Sequence, residues 1–279
     1  MELTVMAVHA HPDDEVFATG GVLRLLADQG VRTVLVTCTD GRFGDAPGGV
    51  KPGAAGHDPA AVAALRDAEL DAACQALGVT RSVRLGYRDS GMMGWDQNDA
   101  PGSFWSTRVD EATDRLSALV RAERPQVVVT YNAFGFYGHP DHIQAHRVTR
   151  AALATLDEAP TLYYNALPLS VARAWRDQAT RAPGGDDAPA GDEPGDAEGF
   201  DPIAWATPDE QIDAAIDVRG ALAAKRAAMA AHASQLADAP WLALDEDAFA
   251  LAMGTEWFVR ATNPRGLDGV TGDLLAGYR

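Results

Sequence analysis

The chain has 279 residues, 47% of them apolar and 23% charged, with a formal net charge of −17. That much apolar sequence supports a sizeable core and excludes wholesale disorder, and the length allows one large α/β domain or two small ones. The acidity provides no basic field for a phosphate backbone or an anionic lipid surface, so it argues against nucleic-acid and membrane partners and for a small neutral or cationic ligand.

The opening MELTVMAVHAHPDDE has no basic leader, and no uncharged apolar run approaches the ~18 residues of a membrane span, so a cytosolic setting is expected. Residues 3–10 and 31–37 are short β-branched runs. Between them, 15–29 carries Val16, Phe17, Leu23 and Leu26 at near-helical spacing ahead of Gly30, which reads as a β-α-β unit. An Ala-rich helix over 58–77 stops at Gly78. Residues 83–85 form a short strand, and an amphipathic helix over 109–123 ends before Pro125. Residues 126–131 (QVVVTY) have the unbroken apolar centre of a strand buried on both faces. Residues 181–200 hold six acids, five Gly and three Pro, too little apolar surface to offset ordering, and predict a mobile loop. That loop divides an α/β body over 1–180 from a smaller C-terminal portion over 201–279, where a long helix over 209–236 completes the cleft. The alternation predicts an α/β, Rossmann-like, mostly parallel sheet flanked by helices, with ligands beyond the carboxyl ends of its strands. Cys38 and Cys74 have neither metal nor disulfide spacing and read as core residues.

Five of the seven histidines cluster in two segments, one ending in HPDDE (11–15) and one running from YGHPDH (137–142) to His146. Each follows a predicted strand or its loop, so both reach the same sheet edge. A catalytic zinc takes three protein ligands, often two His and one carboxylate, and keeps a position for water. His11, one of Asp13 and Asp14, and one of His139 and His142 supply that set. Adjacent aspartates at a turn splay apart, so one binds metal and the other serves as base. The remaining imidazole faces the developing oxyanion, where, as an imidazolium held by an acid such as Asp141, it stabilises that charge. The pattern describes metal-assisted hydrolysis of an amide or ester. Helix capping by Asp and Pro explains either segment alone, but not the matching histidines at both. Two His and a carboxylate also suit a non-haem iron oxygenase, and the opening β-α-β suits a nicotinamide dehydrogenase, although the first strand runs into HPDDE rather than GxGxxG.

These residues resemble the PIG-L/LmbE-like superfamily of zinc-dependent N-acyl hydrolases, which remove an acyl group from an amino sugar. AHPDDE (10–15) and GHPDH (138–142) carry the likeness. VTCT (36–39), RDSGM (88–92), RPQVVVTY (124–131), KRAAMAAHASQ (225–235) and DLLAG (273–277) extend it over most of the chain, in a form most similar to the N-acetylglucosaminyl-inositol deacetylases of mycothiol biosynthesis. The resemblance implies that His11, Asp14 and His142 ligate Zn2+, with Fe2+ as the alternative ion. It implies Asp13 as general base, His139 as general acid or electrostatic stabiliser, Asp141 as the group orienting His139, and Tyr137 at the carbonyl oxygen. Arg66 and Asp89 match positions that bind substrate hydroxyls. The implied partner is a small amino-sugar glycoside. A mycothiol conjugate amidase and a deacetylase of a glycosylated natural product are the rivals within the class. His9 reads as a core histidine, His146 as a weak rival ligand, and His232 as a residue able to reach the cleft. Trp95, Phe104, Trp105, Phe134 and Phe136 form either a substrate wall or a minor cluster under the loops.

Overall fold

The computed structural model describes residues 2–179, 201–237 and 239–279; the loop expected over 181–200 lies outside the described residues. Strands β1 (Thr4–His9), β2 (Arg32–Thr39), β3 (Arg81–Tyr87), β4 (Val127–Thr130), β5 (Thr161–Ala166), β6 (Ala214–Asp217) and β7 (Thr255–Arg260) form one sheet in the order β3-β2-β1-β4-β5-β7-β6. The first five are parallel, and β7 runs antiparallel to both β5 and β6.

β1 and β4 are neighbours, with Val5 opposite Val127 and Ala7 opposite Val129, yet the chain leaves them toward opposite sides of the sheet. This reversal opens a crevice at their carboxyl ends, and both histidine segments emerge there. Every residue of β1 and β4 is buried because helices cover both faces. On one face Met6, Val8, Val34 and Val36 pack with Leu116 of α4 (Val109–Glu123) and Val148 of α6 (Pro140–Ala154). On the other, Ala7 and Leu35 meet Leu23 of α2 (Gly20–Asp28) and Leu70 of α3 (Pro59–Leu77). α3 begins where Asp58 accepts the amides of Ala60 and Ala61, and it ends at Gly78 in the left-handed region, as the sequence predicts.

Two predicted helices take a different form. The segment 15–29 divides into α1 (Asp14–Ala18) and α2 at Thr19, whose φ of −144° breaks the helix while its hydroxyl bonds His9 Nε2 at 2.9 Å. The helix expected over 209–236 contains β6 instead, followed by α8 (Leu222–Ala231) and a short turn α9 (Ala233–Leu236). Ala214 and Ile216 gain burial against Phe258, Val22 and Leu26, a non-local contact that overrides the helical preference of an Ala-rich run. The C-terminal portion therefore extends the main sheet. Its anchor is Glu256 on β7, which accepts the Gly21 and Val22 amides at the start of α2 at 2.7 and 2.9 Å and pairs with the buried Lys225 of α8 at 2.7 Å. A carboxylate is favoured at a helix N-terminus because the free amides there point at it.

Candidate metal centre and active site

After β1 the chain turns sharply through His11, Pro12 and Asp13. Asp13 sits at φ 116° and ψ −24°, a region that L-residues rarely enter, and its side chain does not cap α1. Its carboxylate instead lies 3.0 Å from Arg66 Nη2. That guanidinium also donates to the carbonyls of Pro12 (2.5 Å) and Gly41 (2.6 Å), so α3 grips the turn from below. Across the crevice, β4 ends at Tyr131 and a loop leads to α6. Asn132 Oδ1 accepts the amides of Phe134 and Phe136 in that loop. Gly135 is required within it: φ is +69°, and a Cβ would stand 2.7 Å from the Ile143 amide nitrogen.

Three side chains converge on one point. His11 Nδ1 lies 3.3 Å from His142 Nε2 and 3.4 Å from Asp14 Oδ2, and Asp14 Oδ1 lies 3.3 Å from His142 Nε2. The outer nitrogens of both imidazoles have acceptors: His142 Nδ1 donates to the Gly135 carbonyl at 3.1 Å, and His11 Nε2 faces Asp141 Oδ2 at 3.3 Å and Asp89 Oδ1 at 3.6 Å. With protons only on those outer nitrogens, as a bound ion would require, the two inner nitrogens turn lone pairs toward each other and toward a carboxylate. Such an arrangement suits a cation, and in the metal-free protein a proton on His11 meets part of that demand. For bonds of about 2.0–2.1 Å in tetrahedral geometry, ligand atoms stand about 3.3–3.4 Å apart, so these separations fit a zinc-sized ion. Asp14 Oδ2 is already engaged by the His11 amide and the Tyr131 hydroxyl, each at 2.7 Å, which leaves Oδ1 free to ligate. The ligand atoms of His11, His139 and His142 form one close group, and those of His11, Asp89, His139 and Asp141 form a second. In that second group, however, Asp89 accepts the amides of Phe43 and Gly91, and Asp141 accepts the amide and hydroxyl of Ser90. His11, Asp14 and His142 form a further candidate set, in which one carboxylate oxygen, Asp14 Oδ1, faces His142 at 3.3 Å.

The charges agree. Burial opposes protonation of His11, yet Asp89, Asp14 and Asp141 hold its imidazole well above the ordinary value, so the point of convergence attracts positive charge. Burial alone would raise the Asp14 carboxyl, but His142 and His11 bring it well below the usual carboxylate range. Burial pushes Asp13 up, Arg66 opposes this, and the charge of Asp14 adds to it. A carboxylate with raised proton affinity beside that set is suited to accept a proton. Burial and the neighbouring charge of Asp14 push the Tyr137 phenol up, so it stays a donor.

Several expected roles change in the structure. The Asp141 carboxylate contacts His11 and Ser90 rather than orienting His139; it is the Asp141 backbone amide that donates to His139 Nδ1, at 3.1 Å, and starts α6. His139 therefore keeps its proton on Nε2, and burial beside two other imidazoles holds it well below the ordinary histidine value. It is a neutral donor and not the imidazolium expected from sequence. Arg66 and Asp89, expected against substrate hydroxyls, are each 4% exposed and turned inward to protein partners. Phe104 is core, stacked on Tyr87, whereas Phe134 is 57% exposed and Phe136 packs on Trp205. His146 bonds the Tyr131 carbonyl and forms no second ligand pair with His142. Tyr131 was legible in the sequence only as the end of a buried strand, not as a residue of the site. Its hydroxyl accepts the Ala10 amide at 2.9 Å and donates to Asp14, while its ring stacks on His142 at 4.1 Å.

Comparison with known proteins fits this geometry. Residues 6–153 match the family model described as GlcNAc-PI de-N-acetylase (PIG-L). The chain belongs to this family. It is accordingly an enzyme of the deacetylase class, acting on an amide C–N bond, and nothing supports the iron-oxygenase reading. The 1D-myo-inositol 2-acetamido-2-deoxy-alpha-D-glucopyranoside deacetylase of Acidothermus cellulolyticus is 44% identical over 285 residues, covering 99% of this chain and 96% of that one. Among solved structures, N,N'-diacetylchitobiose deacetylase from Pyrococcus horikoshii has a TM-score of 0.54 at 21% identity, covering 85% of this chain and 72% of that one. The hydratase GalB from Pseudomonas putida KT2440 has a TM-score of 0.60 at 18% identity, covering 97% and 100%. A hydratase and a deacetylase share this fold, so these likenesses establish architecture and the residues at the site must establish chemistry. No helix among the described residues is long and apolar enough to cross a membrane.

Proposed function

We propose that the chain removes the N-acetyl group from an N-acetylglucosamine glycoside, with N-acetylglucosaminyl-inositol as its substrate, and that it does so with zinc held by His11, Asp14 and His142. Two imidazole nitrogens 3.3 Å apart, each 3.3–3.4 Å from one oxygen of Asp14, with the carboxylate of Asp13 in the same turn, carry this reading. Nearly full-length identity to a relative named for that glycoside supports the choice of substrate. Zinc held there supplies Lewis acidity, which makes water acidic near neutral pH and draws charge from the carbonyl. Asp13 takes the proton of the attacking water. His139, through Nε2–H, and the Tyr137 hydroxyl donate to the oxygen that becomes negative as the carbonyl carbon turns tetrahedral. Asp13, now protonated, returns that proton to the departing nitrogen, releasing acetate and a primary amine.

The test is a panel of N-acetylated glucosides, N-acetylglucosaminyl-inositol among them, incubated with zinc-loaded protein and read out as acetate and primary amine. A bimane-labelled mycothiol conjugate is run in parallel. Acetate release confined to the inositol glycoside is expected. Cleavage of the labelled conjugate alone would replace this reading with the amidase, and turnover of only a glycosylated natural product would replace it with a tailoring deacetylase.

A further inference from the structure

The constrained backbone of Asp13 calls for a cause. A residue with a Cβ persists at φ 116° only where its surroundings over-determine it. Arg66 provides one restraint, on the carboxylate and on the Pro12 carbonyl. A second acts on the backbone itself: the Asp13 amide donates to Glu15 Oε2 at 3.0 Å, and the other oxygen of Glu15 is held by His232 Nε2 at 2.6 Å. Glu15 and His232 are both 0% exposed, and neither takes part in the chemistry above. A carboxylate oxygen at that distance requires the ring proton on Nε2, and His232 Nδ1 has no partner among the described residues, so within them the ring's polar engagement is with Glu15. The segment bearing His232 is itself fixed. Ser234 donates its amide and hydroxyl to Glu69 on α3, one turn from Arg66, and Gln235 bonds both the amide and the carbonyl of Asp45.

We infer that His232 is a positioning residue for the deacetylation: through Glu15 it holds the Asp13 amide, and hence the Asp13 carboxylate, at the angle from which it takes the proton. This rests on Asp13 being the base. Without His232, Glu15 is a buried carboxylate short of a donor, and it will turn to find one. The Asp13 amide is then released, the backbone relaxes toward negative φ, and the carboxylate swings from its place. A misplacement of about 1 Å can cost about 100-fold in rate.

Two polar replacements of unequal reach separate positioning from folding. Gln places its amide nitrogen where Nε2 stands and can still donate to Glu15; Asn ends near Nδ1 and cannot. In the zinc-loaded full-length protein, His232→Ala and His232→Asn are expected to lower kcat about 10–100-fold with KM changed by less than about twofold and zinc stoichiometry unchanged, while His232→Gln recovers most of the rate. In an Asp13→Ala background, His232→Asn should cause no further loss, because its effect passes through the missing carboxylate. Wild-type kcat in His232→Asn, equal loss in Gln and Asn, or an undiminished loss in the Asp13→Ala background overturns the inference. A near-wild-type rate in Asp13→Ala alone would instead remove the base assignment on which it rests.

Discussion

Asp13 and Asp14 are adjacent acids with opposite electrostatics, and their substitutions should separate accordingly. Asp13→Ala is expected to keep the metal and lose about 10²–10⁴ in kcat, the usual worth of a general base. Asp14→Ala and His142→Ala should lose the metal itself, which elemental analysis of dialysed protein will show. Tyr131→Phe removes the donor that holds Asp14 Oδ2 and leaves the Ala10 amide without its acceptor, so zinc affinity should fall about 10–100-fold in a competition titration with a chromophoric chelator. Acidity has a definite sign as well. In metal-free protein His11 holds a proton well above the ordinary histidine range, and zinc must displace it, so apparent affinity should drop about tenfold for each unit of pH lowered in that range. The carboxylate and histidine cluster was legible in HPDDE and HPDH because the donor types and their spacing state a coordination chemistry. Tyr131 was not, because its hydroxyl reaches an acid 117 positions earlier in the chain, and only the pairing of β1 with β4 brings them together.

Elements with strong local signals were readable in advance: α3 between Asp58 and Gly78, α4 ahead of Pro125, and β4 from its apolar run. Those decided by distant partners were not. β6 lies in an Ala-rich stretch whose composition favours helix, and it becomes a strand because β7 offers Phe258 and a row of free backbone groups. Of the polar members of KRAAMAAHASQ, only His232 had an evident purpose in one dimension, as a residue able to reach the cleft. Folded, Lys225, His232, Ser234 and Gln235 each bind an element that builds the crevice. The firmest of these contacts joins α8, α2 and β7 through Lys225 and Glu256, both nearly inaccessible to solvent. Lys225→Met leaves the Glu256 charge without its counter-ion and should destabilise the protein by about 3–5 kcal/mol, measured as a lowered urea midpoint in far-UV circular dichroism.

For the molecule as a whole, the sequence conveyed the fold class and the edge of the sheet where chemistry occurs, because alternation of elements and the chirality of their connections leave few arrangements. It did not convey that the final third of the chain completes the same sheet, since antiparallel addition of β7 beside β5 is a choice among edges. The facing lone pairs of His11, Asp14 and His142 bear on the whole molecule too. An ion present at a thousand times its dissociation constant adds about 4 kcal/mol to the folded state. A partly loaded preparation should thus melt in two steps, the lower abolished by added zinc and the upper by a chelator. The ratio of their calorimetric areas would then report the fraction of active molecules in any batch before a single turnover is recorded.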